Sequence, residues 1–380
     1  MPPTTAPQPG LPTDYYAPDY QIEVEGQELD TETRGDVLDL KVVMSLEDLT
    51  SFDLSINNWD DRHVDFKYSD TRAFDVGNRV HVRMGYAGRL LSMVRGQIVT
   101  LTPQFPESGS PTLGVSGLDA MVRLRDSQPG DGEPKKYVGM ADWEIAQAVA
   151  GRNGLESRVT REGPQHDLVV QKNQDDAQFL MERAKRIDFD CYVQTDADTG
   201  RDTLFFVKPS DARDASRAKV YVFEWGRSLI SFSPQLTLSR QVSQLTVRGW
   251  NSRTKEVFTY TANADDLPGG GGEGTSGPAA VESTIGEKQE VVVDAPVTSE
   301  QEARDLAVSL LRERAYEFIT GSGQVIGLPD LRPGQNVELQ GLGRRFSGLY
   351  YVTQVEHSLG SSGYLTSFEV RRTHDGGTRG

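Results

Sequence analysis

Apolar and polar residues alternate along much of the chain with a period of two, which is typical of β-strands that bury one face. Residues 20–24, 38–42, 52–56, 80–86 and 113–115 follow this pattern, and Gly, Asp, Asn or Ser residues separate the runs. Several short strands within about 100 residues predict an antiparallel barrel or sandwich whose inward face takes every second residue.

The period changes to that of a helix shortly after residue 137. Apolar residues recur at helical spacing within 142–151, with Asp142 as the expected N-cap, and again within 175–186. Residues 189–208 then contain two alternating runs, which predict a β-hairpin. The chain therefore carries a small α+β domain, which we place at residues 129–235.

Strand patterns return after this domain and are interrupted once. A Gly-rich run within residues 263–285 reads as a loop or linker. A strand and a helix follow in residues 286–316, where Ser299 and Glu302 form the sequence pattern of a capping box. Residues 317–372 then alternate again as final strands.

Two nine-residue stretches, FDVGNRVHV and LRPGQNVEL, share their apolar and glycine positions. The matched residues are Phe74, Gly77, Val80 and Val82 in the first stretch and Leu331, Gly334, Val337 and Leu339 in the second. A later glycine, Gly96 or Gly348, opens the next strand pattern, and Leu113 and Leu365 lie at the same offset from these glycines. Two interpretations stay open: a duplicated barrel whose turn glycines correspond, or a chance pairing of common turns.

Composition limits the functional classes. The 380 residues suggest two to four domains at about 100–200 residues each. Lys and Arg number 40 against 56 Asp and Glu, so the formal net charge is −16. An acidic chain lacks the basic surface that nucleic acids and anionic membranes require, and we expect it to bind neither. A protein surface is the expected partner.

The single cysteine, Cys191, excludes an intrachain disulfide framework and reads as a buried apolar residue. The first residues contain no signal-peptide pattern, and no run approaches the roughly 18 apolar residues of a membrane-spanning helix. We therefore expect the chain to be cytoplasmic during assembly.

No sequence motif supports catalysis. The segment around Ser116 resembles a nucleophile elbow but lacks its second glycine position, and the Gly-rich run has no lysine where a phosphate-binding loop needs one. Asp60, Asp61 and His63 offer the residue types of an acid–base cluster, but as a polar loop they need no such role. We expect no catalytic residue, no cofactor and no metal.

The acidic turn from Asp196 to Asp202 is the one candidate ion site. Asp196, Asp198 and Asp202 offer carboxylates for Ca²⁺, but the closing Glu of an EF-hand is missing. A solvated hairpin turn is the favoured alternative. The five histidines are scattered, and His357 is expected to be structural.

The proline-rich residues 1–18 cannot bury enough apolar surface to fold alone, so they predict a flexible arm. Tyr15 and Tyr16 lie in this arm, and aromatic side chains are favoured anchors at protein interfaces. We expect the arm to dock on a neighbouring subunit. Residues 373–380 read as a flexible tail.

Five segments in succession resemble the phage late control protein D family, which includes the myovirus-type baseplate hub and the N-terminal part of type VI secretion spike proteins. The segments are FDVGNRVHV with LGVSGLDAMVRL, DWEIAQAVAGRNGL, QKNQDDAQFLMERAKRIDFDCYV, VRGWNSRTKEV, and TSEQEARDLAVSLLRERAYEF with the final strands. They keep the family's order from about residue 20 to residue 372.

The resemblance implies two related antiparallel β-barrels, at residues 19–128 and at 236–262 with 317–372, besides the α+β domain and the helix before the final strands. It also implies a homotrimer in which six barrels form a ring between a six-fold inner tube and a three-fold spike. The chain would then be a structural baseplate hub of a phage tail or contractile injection system. Its partners would be two further copies, the inner tube protein, a separate spike protein and other baseplate proteins.

Two features depart from that family. Asp188 stands where related chains often have Gly, so the end of the second helix is expected to differ. No oligonucleotide-binding-type barrel or needle repeat follows residue 372, so the spike tip is expected on another polypeptide. Rival functions are a particle-associated peptidoglycan hydrolase or protease, and a stand-alone β-rich binding module.

Overall fold

The computed structural model describes residues 17–126, 134–196, 199–209, 220–251, 255–267, 274–293, 297 and 299–376. The fold is mainly β with a smaller helical part, which confirms the fold class predicted from the sequence. Among the described residues, no helix is both long enough and apolar enough to cross a membrane.

The first barrel is built from six strands in the order β1-β7-β8-β9-β4-β3. The elements of this region are β1 Pro18–Val24, β2 Gln27–Glu28, α1 Thr31–Gly35, β3 Val37–Ser45, β4 Ser51–Asn57, β5 Trp59–Asp60, β6 Asp65–Phe66, β7 Arg79–Tyr86, β8 Arg89–Gln104, β9 Thr112–Asp119 and α2 Val122–Asp126. Alternate residues of these strands enter one buried apolar cluster, as the period of two predicts.

The middle domain packs two helices against short sheets. Its elements are β10 Lys135–Ala141, α3 Asp142–Arg152, β11 Glu156–Val159, β12 Gln165–Gln171, α4 Asp176–Arg186, β13 Asp190–Thr195 and β14 Asp202–Val207. β13 and β14 are antiparallel, which confirms the predicted hairpin, and Cys191 is buried. The N-cap of α3 is Ala141, which has an extended backbone, and not Asp142, which is the first helical residue. The Asp142 carboxylate instead contacts His166 and Arg183.

The second half of the chain builds another barrel and a separate sheet. The first elements are β15 Val220–Glu224, β16 Leu229–Leu236, β17 Gln244–Asn251, β18 Glu256–Asn263, α5 Gly277–Thr284, β19 Gln289–Val292 and α6 Glu300–Tyr316. The last elements are β20 Ile319–Ile326, β21 Asn336–Gln340, α7 Gly343–Phe346, β22 Gly348–Gly360 and β23 Gly363–Arg372. The barrel has the strand order β15-β21-β22-β23-β20-β16.

Two expected domain limits are wrong. Residues 236–262 were expected in the second barrel, but β17 and β18 pair with β19 in a separate sheet. Leu245 and Val247 of that sheet pack against α6, so their apolar faces are buried without the barrel. The barrel instead takes β15 and β16 from residues 220–236, most of which were expected in the α+β domain.

The two barrels share one continuous sheet of 13 strands. β3 of the first barrel pairs with β22 of the second in antiparallel register, from Leu40 opposite Leu359 to Ser45 opposite Gln354. We call this contact the inner seam.

Candidate assembly interface

The two glycines matched in the sequence make the same backbone contacts in their barrels. The amide of Gly77 donates to the carbonyl of Ile98 at 2.8 Å, and the amide of Gly334 donates to the carbonyl of Val352 at 2.9 Å. In each barrel the accepting residue returns a bond of 2.9 Å to the carbonyl of the residue after the glycine. Both glycines have positive φ, +92° and +81°, which L-residues rarely adopt.

The strand orders and the irregularities of the two barrels also correspond. β1, β3, β4, β7, β8 and β9 have the same order as β15, β16, β20, β21, β22 and β23. The register of β8 against β9 shifts after Ile98, and that of β22 against β23 shifts after Val352. The register of β3 shifts after Val37, and that of β16 shifts after Leu229. One pairing differs, since β1 is antiparallel to β7 while β15 is parallel to β21.

The apolar residues matched in the sequence are all buried in the cores of their barrels. They are Phe74, Val80 and Val82 in the first barrel and Leu331, Val337 and Leu339 in the second. Val80 lies opposite Gly96 in β8, and Val337 lies opposite Tyr350 in β22.

This register corrects the pairing of the later glycines. Gly96 corresponds to Tyr350, not to Gly348, and it lies inside β8 instead of at a turn. A Cβ at Gly96 would lie 2.1 Å from the carbonyl oxygen of Leu118, so this glycine permits a close approach of strands. Gly348 does open a strand and has a φ of +127°.

The match of Leu113 with Leu365 is also wrong, by one residue. Leu113 lies opposite Pro103, whereas the residue opposite His357 is Thr366. Pro103 and His357 each lie five residues after a corresponding position, Ile98 or Val352. The sequence comparison missed this because the gap between the paired strands differs between the barrels.

Alternate residues of β3 form the backbone hydrogen bonds of the inner seam. The amide of Leu46 donates to the carbonyl of Thr353 at 3.0 Å. Because hydrogen-bonded pairs alternate along antiparallel strands, Leu40, Val42 and Met44 direct their backbone groups towards β22. The Lys41 ammonium lies 2.7 Å from a carboxylate oxygen of Glu356 across the same seam.

Two strand edges that correspond to the inner seam have no strand partner among the described residues. One is the outer edge of β16, the counterpart of β3, and the other is the C-terminal half of β8, the counterpart of β22. We call them the β16 edge and the β8 edge. Pro234 lies on the β16 edge, and Pro103 lies on the β8 edge.

Buried polar groups brace the two barrels beside the inner seam. The Arg332 guanidinium is buried and donates to the carbonyls of Ser92 and Leu331, both at 3.0 Å. The Tyr86 hydroxyl donates to the carbonyl of Gly327 at 2.8 Å. His357 is fully buried, and its Nε2 lies 3.1 Å from the carbonyl of Leu331. Burial, and next the charge of Arg332, lower the pKa of His357 to about 3.

A second polar cluster joins the middle domain to α6. His166 Nε2 lies 3.1 Å from Asp142 and its Nδ1 lies 3.4 Å from Glu302. These two carboxylates raise the pKa of His166 to about 9. Burial opposes ionisation of Asp142, but the bonds from His166 and Arg183 hold its pKa below the usual value. The space beside this cluster is only about 20 Å³, too small for a substrate.

A larger cleft of about 300 Å³ lies between the first barrel and the middle domain and is lined by charged groups of both signs. Burial raises the pKa of Asp119 to about 7, and burial followed by the charge of Arg83 lowers that of His81 to about 4. Asp119 accepts bonds from the amides of Thr50 and Met121, which explains its position structurally. Sequence reasoning missed both clusters because their members are far apart in the chain.

The structure does not assemble the candidate catalytic residues into a site. The Ser116 hydroxyl donates to Asp53 at 2.6 Å in the strand pair β4–β9. His63 Nδ1 lies 2.6 Å from Asp60 in an exposed turn, and that bond holds the pKa of Asp60 at about 2. Both contacts are local to the barrel surface.

The acidic turn is only partly described, since Asp198 lies outside the described residues. Asp196 accepts bonds from the amide and hydroxyl of Thr199, whereas Asp202 accepts one from Thr195. The described part of the chain contains no group of three or more side chains placed to hold a metal ion. Tyr15, Tyr16 and residues 268–273 of the Gly-rich run also lie outside the described residues. The expectation of a loop throughout residues 263–285 is wrong, because α5 spans Gly277–Thr284 and Ser276 caps it.

Asp188 has a left-handed backbone conformation, with a φ of +57°, which glycine adopts more readily than other residues. Its carboxylate accepts a bond from the guanidinium of Arg312, which is 1% exposed in α6. Asp188 therefore forms a charged contact between the middle domain and α6.

Comparison with protein families gives one match that covers most of the chain. The family model described as the Alg8 N-terminal domain matches residues 16–361. The chain belongs to this family. No curated protein is significantly similar to it in sequence.

Solved structures similar to this member of the family are phage tail and secretion proteins. The 43 kDa tail protein of prophage MuSo2 from Shewanella oneidensis is 14% identical, with a TM-score of 0.69 over 94% of this chain and 98% of that one. A tail protein from Neisseria meningitidis is 15% identical, with a TM-score of 0.67 over 94% and 97%. An E. coli type VI secretion component, described as structurally similar to two bacteriophage T4 tail proteins, is 12% identical, with a TM-score of 0.57 over 92% and 76%.

These likenesses confirm the resemblance seen in the sequence at the level of the fold. At such low identity they show a shared architecture over nearly the whole chain.

Proposed function

We propose that this chain is the structural baseplate hub of a phage tail or contractile injection system. Three copies form a ring of six barrels that connects a six-fold inner tube to a three-fold spike. The duplicated barrel carries this proposal, because a trimer presents six similar surfaces only if each chain contributes two.

The contacts within one chain support the ring. The inner seam joins two related barrels side by side through their sheet edges, and the corresponding edges at the two ends of the pair are free of strand partners in the described residues. If the free edge of one copy pairs with the free edge of the next copy as β3 pairs with β22, the copies join head to tail. A head-to-tail contact closes into a ring when its rotation allows closure.

The proposed partners follow from this position. They are two further copies, the inner tube protein, a spike protein and other baseplate proteins, and the chain would assemble in the cytoplasm before entering the particle. Binding would come from buried apolar area and edge-strand pairing. We also propose that the segment with Tyr15 and Tyr16 contacts a neighbouring subunit. We also propose four units in each chain: two barrels, the middle domain, and the sheet of β17, β18 and β19 with α6.

The test is the mass of the native assembly, measured for the chain alone and together with a candidate spike protein from the same genome. We expect three copies, and three copies with the spike bound. Co-sedimentation with preformed tube should retain this trimer at the tube end. A chain that stays monomeric in the presence of both partners would overturn the proposal.

A further inference from the structure

We propose that the β16 edge of one copy pairs with the β8 edge of the next copy, in the register of the inner seam. This deepens the proposed function and rests on it, since it identifies the strands that join the copies. We call this contact between copies the outer seam. We also propose that the outer seam forms fewer hydrogen bonds than the inner seam, because a proline from each copy lies at its centre.

The register follows from the two pairs of corresponding irregularities. The strand register shifts directly after Val37 in β3 and directly after Leu229 in β16, so these two residues correspond. Five residues later, Val42 therefore corresponds to Pro234. Ile98 and Val352 precede the other shift, so Pro103 and His357 correspond in the same way. Val42 lies opposite His357 in the inner seam. The outer seam therefore places Pro234 opposite Pro103 of the next copy.

Both prolines turn their nitrogen towards the free edge. The amide of Thr237 donates to the carbonyl of Phe318 at 3.0 Å, so alternation directs residue 234 away from β20. The amide of Asp119 donates to Thr50 at 2.9 Å, so alternation along β9 directs residue 103 away from β9. Neither proline has an N–H to donate across the seam.

The outer seam consequently lacks two donors that the inner seam has. Its remaining hydrogen-bonding pairs are Phe232 with Phe105 and Leu236 with Leu101, which correspond to Leu40 with Leu359 and Met44 with Val355. The ion pair of Lys41 with Glu356 has no counterpart either, because uncharged residues Ser233 and Thr102 occupy those positions.

Edge prolines also limit unwanted pairing in a free copy. A strand edge with a full set of donors can extend into filaments, and proline is one residue that prevents this. Exposed apolar side chains lie at both edges, since Phe105 is 61% and Ile230 is 51% exposed. A second copy would cover them in the ring.

Cysteine cross-linking tests the register. Lys41 lies opposite Ser358 in a pair without mutual hydrogen bonds, and the corresponding outer pair is Ser233 with Gln104. Such a pair has a Cα separation of about 4.5 Å, which suits a disulfide. The native Cys191 does not compete, because it is buried and burial raises its thiol pKa to about 12.

The double variant Ser233→Cys/Gln104→Cys should give a covalent trimer on a non-reducing denaturing gel after mild oxidation. Each single variant should give none, because the contact is head to tail. The control Ser231→Cys/Gln104→Cys is two residues out of register and should cross-link far less. A single variant that links to itself would show a symmetric contact and overturn the proposal.

Native mass separates failure of this inference from failure of the proposed function. A trimer whose double variant does not cross-link would overturn the seam and leave the hub. A monomer with both partners present would overturn both.

A second measurement tests the prolines. Pro234→Val and Pro103→Val should each lower the trimer dissociation constant, by about fivefold for each restored hydrogen bond. Pro106→Val, beyond the end of β8, is the matched control and should leave it unchanged. Weaker assembly, or no change, in both edge variants would overturn the proposed facing of the prolines.

Discussion

The buried side chain of Arg332 in the second barrel donates a hydrogen bond to the backbone carbonyl of Ser92 in the first barrel, at 3.0 Å. Further bonds join the same guanidinium to the carbonyls of Pro329 and Leu331. The Arg332 guanidinium therefore donates hydrogen bonds to carbonyl groups of both barrels, beside the inner seam.

Replacing Arg332 by Met should destabilise the chain by about 3 kcal/mol, because buried carbonyl groups lose a charged donor and regain no partner. Denaturant unfolding would measure the change. Arg89→Gln is the control: Arg89 is largely exposed and lies 3.5 Å from Asp330, so its loss should cost about 0.5 kcal/mol. Equal effects of the two variants would contradict the assigned role of Arg332.

Asp188→Gly should destabilise the chain even though glycine suits the left-handed backbone better. The lost carboxylate leaves the buried Arg312 without this acceptor, at a cost of about 3 kcal/mol that exceeds the relief of strain. Asn173→Gly is a matched control, since Asn173 also has a positive φ but is exposed, and it should be close to neutral. Thermal unfolding of both variants would test this, and a stabilised Asp188→Gly protein would refute it.

Gly334→Ala should cost more than Gly77→Ala, although both residues have positive φ. Each variant incurs about 1–2 kcal/mol of backbone strain. A Cβ at Gly334 would also lie 2.9 Å from the Tyr192 hydroxyl, whereas nothing lies within 4 Å at Gly77. Adding Tyr192→Phe should remove most of the difference in free energy of unfolding. An additive double variant would show that the hydroxyl is not responsible.

The histidines should titrate at separate pH values, which nuclear magnetic resonance of the imidazole rings can follow. His166 should stay protonated up to about pH 9, whereas His357 should stay neutral down to about pH 3. The signals of residues next to His166 should shift as the pH passes about 9, and His166→Gln should abolish this shift. A normal pKa near 6.5 for either ring would contradict the buried contacts.

These shifts give opposite dependences of stability on pH. The raised pKa of His166 contributes stability that is complete below about pH 6.5 and is lost as the pH rises through about 9. His357 stays neutral in the fold while the unfolded chain gains a proton, so stability falls as the pH drops from about 6.5 towards 3. His357→Gln should flatten the acid side of the stability profile in denaturant unfolding.

The sequence predicts the first barrel well because its strands bury one face and expose the other. Val80 and Val82 follow each other with the period of two within one strand, and their burial needs no distant information. Leu245 and Val247 have the same pattern but pack on α6, because a strand pattern does not specify which layer covers it. The pattern therefore predicts these strands but not the sheet that they join.

The contacts between the barrels, and those between the middle domain and α6, were harder to predict than the fold. Gly77 and Gly334 were found because positive φ restricts the residue type. Arg332 and His166 were not, since the groups they contact are distant in the chain and no local pattern marks a buried cation. The correspondence of Gly96 with Tyr350 needs the strand register, which residue spacing alone obscures.

The inner seam has a mechanical consequence. Force applied to one barrel along its strands reaches the other through a row of backbone hydrogen bonds that share the load, because β3 and β22 lie side by side in one sheet. Separating the barrels within a chain would require breaking that row together. If the proposed ring is pulled, whole subunits should therefore separate before any one of them unfolds.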